Sequence, residues 1–387
     1  MDYSALLSRC AQDLRPSGIR KFFDLAATME GVISLGVGEP DFKTPYAIRR
    51  AGIESLEKGR TWYTANAGLL ELRRQIAAYL ARRFSLSYGE QDILVTVGGS
   101  EAIDLCIRAC IDPGDQVLVP EPSFVCYDPI TRLAGGVPVP IVTRPEDGFR
   151  LTPEALEAAI TPRTKVLVLP YPNNPTGAIM KREHLEAIAE VLRRRQILVL
   201  SDEIYAELTF EGKHVSIASL PGMAERTVVV NGFSKAYAMT GWRLGYAAGP
   251  REVIQVMTKL HQFAIMCAPT VSQHAAIEAM KSCDEEIERM AVQFGMRRGL
   301  MVNHLNRMGL TCADPLGAFY VFPSIRSTGL TSDQFCEQLL KEQKVAVVPG
   351  NAFGQSGEGH VRISYSYSVE HLIEALRRIE SFVEGLK

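Results

Sequence analysis

The sequence predicts an α/β protein: a large domain with a mostly parallel, seven-stranded sheet between two layers of helices, followed by a smaller α+β domain. Three observations predict it. Between Asp92 and Gly249, seven short runs rich in Val, Ile and Leu recur, as expected for strands buried on both faces. The segments between them carry the spacing of helices. Beyond Met280 this alternation stops.

The runs are residues 93–97, 116–119, 137–142, 165–169, 197–200, 227–230 and 244–248. From Ser100 to Ile111, the side chains of Ile103, Cys106, Ile107 and Cys110 fall at i, i+3, i+4 and i+7, the stripe of a helix packed on a sheet. After Met280 come a charged helix from Asp284 to about Met308, apolar runs at 317–322, 345–348 and 361–364, and a last helix from Val369. The first 45 residues hold a helix and a Gly/Pro-rich passage at 35–42, too little for a domain. They are expected to join the C-terminal unit or a partner chain. A chain of 387 residues accommodates two domains, and the expected division is an N-terminal arm sharing the small domain (1–45), a large domain (46–282) and a small one (283–387).

Forty-two Lys and Arg nearly balance 44 Asp and Glu, which argues against nucleic acid or a membrane surface as partner. Charges at Asp2, Arg9, Asp13 and Arg15 interrupt the start of the chain, and no run approaches the roughly 18 apolar residues of a membrane span. A cytoplasmic location is expected. The eight cysteines lack CxxC pairing and are expected to be reduced core thiols. Cys106 and Cys110 share a helix face, but no neighbouring His or Cys completes a metal site, so no metal is expected.

Candidate chemistry gathers where strands end. Lys235 follows the run 227–230, at the ligand edge of a parallel sheet, and Arg243 follows eight residues later with a planar fork suited to phosphate. An amine that attacks carbonyls has to be unprotonated, which desolvation and a nearby cation both favour. Asp202 closes the run 197–200; there it can keep a pyridine nitrogen protonated or simply cap a helix, and Tyr205 lies within reach of the same ring. Residues 171–177 form a turn of Asn, Pro and Gly that needs no function by itself. In Thr96-Val-Gly-Gly-Ser-Glu101 a strand passes through two glycines into a helix, leaving free N–H groups for an anion. That passage matches neither a Walker loop nor a dinucleotide fingerprint.

Together these motifs resemble a known family. Asn-Gly-Phe-Ser-Lys-Ala-Tyr-Ala-Met-Thr-Gly-Trp-Arg-Leu-Gly-Tyr at 231–246, Asn-Asn-Pro-Thr-Gly at 173–177, Ser-Asp-Glu-Ile-Tyr at 201–205, Leu-Gly-Val-Gly-Glu-Pro-Asp-Phe at 35–42 and Val-Arg-Ile-Ser at 361–364 look like the class I/II aminotransferases of pyridoxal 5'-phosphate (PLP) fold type I. The resemblance runs from about residue 17 to the C-terminus, in the family's order and spacing. Residues 17–24 and 347–350 are most similar to prokaryotic aspartate and aromatic amino-acid aminotransferases.

The resemblance implies that Lys235 binds PLP covalently, that Asp202 partners the pyridinium nitrogen, and that Lys235, Asp202 and Tyr205 are catalytic. Asn174 and Tyr205 would bond the ring's 3'-oxygen and Phe124 would stack on the ring. Arg243, the backbone at Gly99 and Ser100, and Tyr63 from a second subunit would take the phosphate. Arg362 would clamp the substrate carboxylate, with Gly38 closing over it and Phe124 and Asn174 beside it. Two positions depart from the pattern. Many relatives have Ser where this chain has Gly232, with Ser234 as a substitute, and some aspartate enzymes have Lys at the position of Ser100, which weakens a strictly dicarboxylate reading. The implied function is ping-pong transfer of an amino group from an aromatic amino acid or aspartate, with broad tolerance, to a 2-oxo acid such as 2-oxoglutarate, by a homodimer. The alternatives are a PLP-dependent C–S lyase on the same anchors and, in another class, a non-catalytic PLP-sensing regulatory module.

Overall fold

Most of the apolar runs become strands because they are short, rich in β-branched residues and bounded by turn residues; the run at 244–248 has no β-branched residue and pairs between two strands. The computed structural model describes residues 1, 3–14, 18 and 29–386; the 17–24 motif therefore lies outside the described residues apart from Gly18. A short β1 (Ile33–Ser34) comes first. The main sheet comprises β2 (Ile93–Thr96), β3 (Gln116–Glu121), β4 (Val137–Val142), β5 (Thr164–Leu169), β6 (Leu198–Asp202), β7 (Thr227–Gly232) and β8 (Gly245–Ala248), in the order β2-β8-β7-β6-β5-β3-β4. Only β8 runs against its neighbours.

Alternate residues serve opposite faces. Val117, Val119, Val166, Val168, Leu200 and Val228 pack under the helix Gly99–Cys110 through Ile103, Cys106 and Ile107. Leu118, Leu167, Leu169 and Val199 face Leu185, Ile188 and Leu192 of the helix Arg182–Arg193. Each large aliphatic chain buried this way contributes about 1.5–3 kcal/mol. β4 corrects the expectation of strands buried on both faces: it lies at the sheet edge, and Val137 and Val142 are exposed. The amides of Val137 and Thr143 bond β3 or its flank at 2.8 Å, which turns the even-numbered positions outward. Pro138 and Pro140 occupy those positions, where no N–H is needed and a further strand finds no donors.

The C-terminal part adds β9 (Tyr320–Val321), β10 (Val345–Ala346), β11 (Val348–Pro349) and β12 (Val361–Ser364). The single run expected at 345–348 is two strands. β10 pairs with β1, whereas β11 joins the antiparallel sheet β11-β12-β9. Within the run at 317–322 the strand is Tyr320–Val321, and Gly317 makes an isolated bridge to Thr209. Leu35 shares a core with Phe294 and Leu305 of the helix Asp284–Arg307 and with Leu372 and Ile379 of the helix Val369–Gly385.

All eight cysteines are free, but only Cys106, Cys283, Cys312 and Cys336 are buried; Cys10, Cys110, Cys126 and Cys267 are partly exposed, so the core-thiol reading holds for half of them. No described helix is long and apolar enough to cross a membrane.

Candidate active site

β2, β3, β5, β6 and β7 run parallel, so the loops at their C-terminal ends open onto one edge of the sheet. There a cavity of about 370 Å³ is lined by Gly38, Gly99, Ser100, Phe124, Asn174, Asp202, Tyr205, Lys235, Arg243 and Arg362. Of the site residues expected from the sequence, Tyr63 alone stands apart, 78% exposed on the surface.

Lys235 leaves β7 three residues past its end, and its Nζ donates to the Gly38 carbonyl. Burial, then the nearby positive charge of Arg362, pull its pKa down to about 8. Asp202 is the last residue of β6 and is buried. Its Oδ2 accepts from Tyr127 Oη at 2.7 Å and its Oδ1 from the Ile204 amide at 3.2 Å. Burial raises its pKa, and the Tyr127 hydrogen bond opposes that rise. The Tyr205 and Tyr320 hydroxyls lie 2.8 Å apart.

Arg362, on β12, is 3% exposed. Its Nη1 donates to Asn174 Oδ1 at 2.9 Å and its Nη2 to the Gly36 carbonyl, while its buried Nε has no partner among the described residues. The guanidinium carbon lies 4.5 Å from the centre of the Tyr320 ring and 4.8 Å from that of Phe353. No carboxylate of the described residues pairs with it. Ring contacts on a desolvated cation contribute about 2 kcal/mol or more each, but they leave its charge unneutralised. A buried cation with a free donor and no counter-charge is a ready site for a carboxylate.

Arg243 also lines the cavity, in the left-handed region at φ 52°, and its Nη1 donates to the Thr240 carbonyl at 3.0 Å. Its fork crosses the turn into the helix Gly99–Cys110: a Cβ on Gly98, itself at φ +80°, would lie 2.6 Å from Arg243 Nη2. Glu101 holds that turn by accepting from the Val97 amide and is in turn bonded by His261 Nδ1 at 2.9 Å. Unpaired helix N–H groups beside a guanidinium form an anion cradle. Gly232 has a steric reason to be glycine. A Cβ there would lie 2.9 Å from Gly245 Cα and 3.2 Å from Ile204 Cδ1, whereas Ser234 does line the cavity.

Sequence reasoning missed Tyr127, Tyr320, Glu39 and Thr240, which also line the cavity. Tyr127 opens the helix Tyr127–Leu133 three residues after Phe124, and the two rings meet edge to face at 6.1 Å. No local pattern marks Tyr320, which reaches Tyr205 from 115 residues away. Among the described residues no group of His, Cys, Asp or Glu is placed to hold a metal. The cavity thus brings together an anion cradle, a carboxylate clamp, a buried amine and a buried acid.

Known proteins share this arrangement of chain. The family model for aminotransferase class I and II matches residues 30–379. A putative aminotransferase of Bacillus subtilis, YugH, is 54% identical over 98% of this chain and 99% of its own length. Aromatic-amino-acid aminotransferase 2 of Thermococcus litoralis is 44% identical, again over 98% of this chain and 99% of its own. The crystal structure of the aspartate aminotransferase of Thermus thermophilus with maleate superimposes with a TM-score of 0.93 at 40% identity, covering 97% of this chain and 99% of that one. A family match over most of the chain, at these identities, has one consequence: the chain belongs to the class I and II aminotransferases.

Proposed function

We propose that this aminotransferase holds PLP on Lys235 and moves the amino group of an aromatic amino acid or aspartate, with broad tolerance, to a 2-oxo acid such as 2-oxoglutarate. The observation that carries the reading is a pair of arginines, Arg243 and Arg362, that line the cavity with a buried amine and have no carboxylate partner among the described residues. The relatives named for aromatic and for aspartate substrates support the donor class.

The residues present fit the cofactor. The Gly98–Gly99 turn, Ser100 and Arg243 suit its phosphate, Asp202 a protonated ring nitrogen, Asn174 and Tyr205 the 3'-oxygen, and Phe124 the ring face. When bound, the cofactor supplies an electron sink for the substrate's Cα–H bond. Arg362 takes the substrate carboxylate on Nε and Nη2, displacing the Gly36 carbonyl, and Gly38 closes over it. Lys235 Nζ would accept the Cα proton and deliver it to the cofactor's former aldehyde carbon rather than back to Cα, a task suited to an amine poised near pH 8. Tyr127, by donating to Asp202, favours its ionised form against the effect of burial, and burial, with Tyr320 beside it, raises the pKa of Tyr205 and favours its protonated, donating form. Because each half-reaction restores or consumes the amino group, the kinetics are ping-pong.

A homodimer is part of the proposal, with Tyr63 of the second subunit completing the phosphate site. Trp62 (67% exposed), Tyr63 and Phe263 (82%) support it. They belong to neighbouring segments, since Thr270 Oγ1 bonds the Trp62 carbonyl at 2.8 Å and Asn66 bonds the Met266 carbonyl at 2.9 Å. Apolar surface of this kind marks an interface. The free cysteines support a reducing, cytoplasmic setting. The 1–45, 46–282 and 283–387 division belongs to the same proposal, supported by the pairing of β1 with β10.

Borohydride treatment of the protein followed by peptide mapping is expected to leave a pyridoxyl group on Lys235, and Lys235→Ala to abolish both that label and transamination. A labelled site elsewhere, or normal turnover by the variant, refutes the assignment. A panel of amino donors with 2-oxoglutarate should rank aromatic amino acids and aspartate above branched-chain donors by about tenfold or more in kcat/KM.

A further inference from the structure

The passage 36–42 crosses the cavity without a ladder partner, yet two of its carbonyls face the groups just described: Gly36 accepts from Arg362 and Gly38 from Lys235. Its position therefore decides how much room a substrate carboxylate finds. Upstream it is anchored by β1, and the Leu35 amide bonds the Ala346 carbonyl at 2.8 Å. At its middle, a Cβ on Gly38 would lie 2.1 Å from Tyr320 Oη, so the passage runs in direct contact with that ring. Downstream stands an ion pair the reaction does not use. Arg297, on the helix Asp284–Arg307, grips Asp41 with Nη1 to Oδ1 at 2.7 Å and Nη2 to Oδ2 at 3.0 Å. The Arg297 side chain is 8% exposed and that of Asp41 25%. Phe42 and Phe294 flank the guanidinium at 5.2 and 5.5 Å and meet each other edge to face at 5.4 Å.

We propose that Arg297 is a positioning residue: its bidentate hold on Asp41 sets the height of the 36–42 passage over the cavity, and so the access of both substrates to Arg362 and Lys235. The geometry carries this, because a two-point fork fixes orientation as well as distance, and the rings on either side leave the guanidinium one place to lie. The far side of the passage is held to the opposite wall, where Thr240 bonds Glu39 and Thr44 Oγ1 donates to the Ala238 carbonyl at 2.6 Å. The passage thus bridges the two walls of the cavity, and Arg297 is its attachment to the helix of the C-terminal part.

The inference rests on the PLP aminotransferase reading, and the test separates the two. The holoenzyme, Asp41→Asn, Arg297→Met, Arg297→Lys and the double variant Asp41→Asn/Arg297→Met are compared for pyridoxyl loading, KM of donor and acceptor, and kcat. If the unaltered holoenzyme does not transaminate, the parent reading fails. If it does, Asp41→Asn and Arg297→Met are each expected to raise KM for both substrates about tenfold with loading retained, since a displacement near 1 Å at a binding site is costly. Arg297→Lys should recover part of the loss, and the double variant should be no worse than the worse single one. KM values within about twofold of the unaltered enzyme, or effects that add in the double variant, overturn the proposal. Should Arg297→Met fail to fold, Asp41→Asn, which removes only the charge of a part-exposed carboxylate at unchanged size, decides the matter by the same KM criterion.

Discussion

Lys235 and Arg362 shape each other's chemistry. Burial removes water from both, and the guanidinium's charge adds to the pressure on the lysine to lose its proton. Condensation with an aldehyde needs the neutral amine, so the rate of PLP uptake by apo-protein should rise with pH and level off above a midpoint near 8 rather than near the ordinary lysine value. Replacing Arg362 with Leu removes a repelling cation; the midpoint should then move upward, and stopped-flow absorbance across a pH series would record it. An unmoved or lowered midpoint would contradict the coupling. Asp202 shows the opposite balance, since burial drives its pKa up and the Tyr127 hydroxyl restrains it. Lys235, Asp202 and Arg243 were legible in the sequence because each follows a recognisable strand within a contiguous motif. Tyr127 was not, because its partner is 75 residues distant and only the fold brings them together.

At the scale of elements, the anion cradle depends on how closely β8 approaches the turn that ends β2. A Cβ on Gly245 would lie 2.7 Å from both Gly98 C and Gly99 N, backbone atoms that cannot swing aside. Gly245→Ala should therefore push the strand from the turn, cost about 1–3 kcal/mol of stability and weaken PLP binding, as measured by thermal unfolding and cofactor titration. Gly299→Ala is the contrast. It lies within the helix Asp284–Arg307 with nothing within 4 Å of the added carbon, so it should stabilise by about 0.5–1 kcal/mol and leave PLP affinity unchanged. β4 carries a related lesson: its prolines read as an ordinary apolar run in the sequence, yet they belong to an edge, where the missing N–H groups face away from the sheet.

For the whole molecule, the proposed homodimer would tie assembly to cofactor retention through the exposed Phe263, Trp62 and Tyr63. Phe263→Asp should yield monomers in sedimentation and loosen PLP by about tenfold, through loss of the Tyr63 contact across the interface. A dimeric variant with unchanged PLP affinity would break that link. The sequence alone determined the main-sheet strands, the helix that packs beneath them and the strand-end motifs that bear the amine and the acid. It could do so because periodicity and strand-end motifs are local properties of a chain. Only the tertiary structure decided that residues 345–348 divide between two sheets, that Tyr320 meets Tyr205, and that Arg297 seizes Asp41 from 256 positions away. Such contacts pair side chains whose neighbours in sequence say nothing of each other, and they exist because packing a common core leaves each buried polar group few partners to choose from.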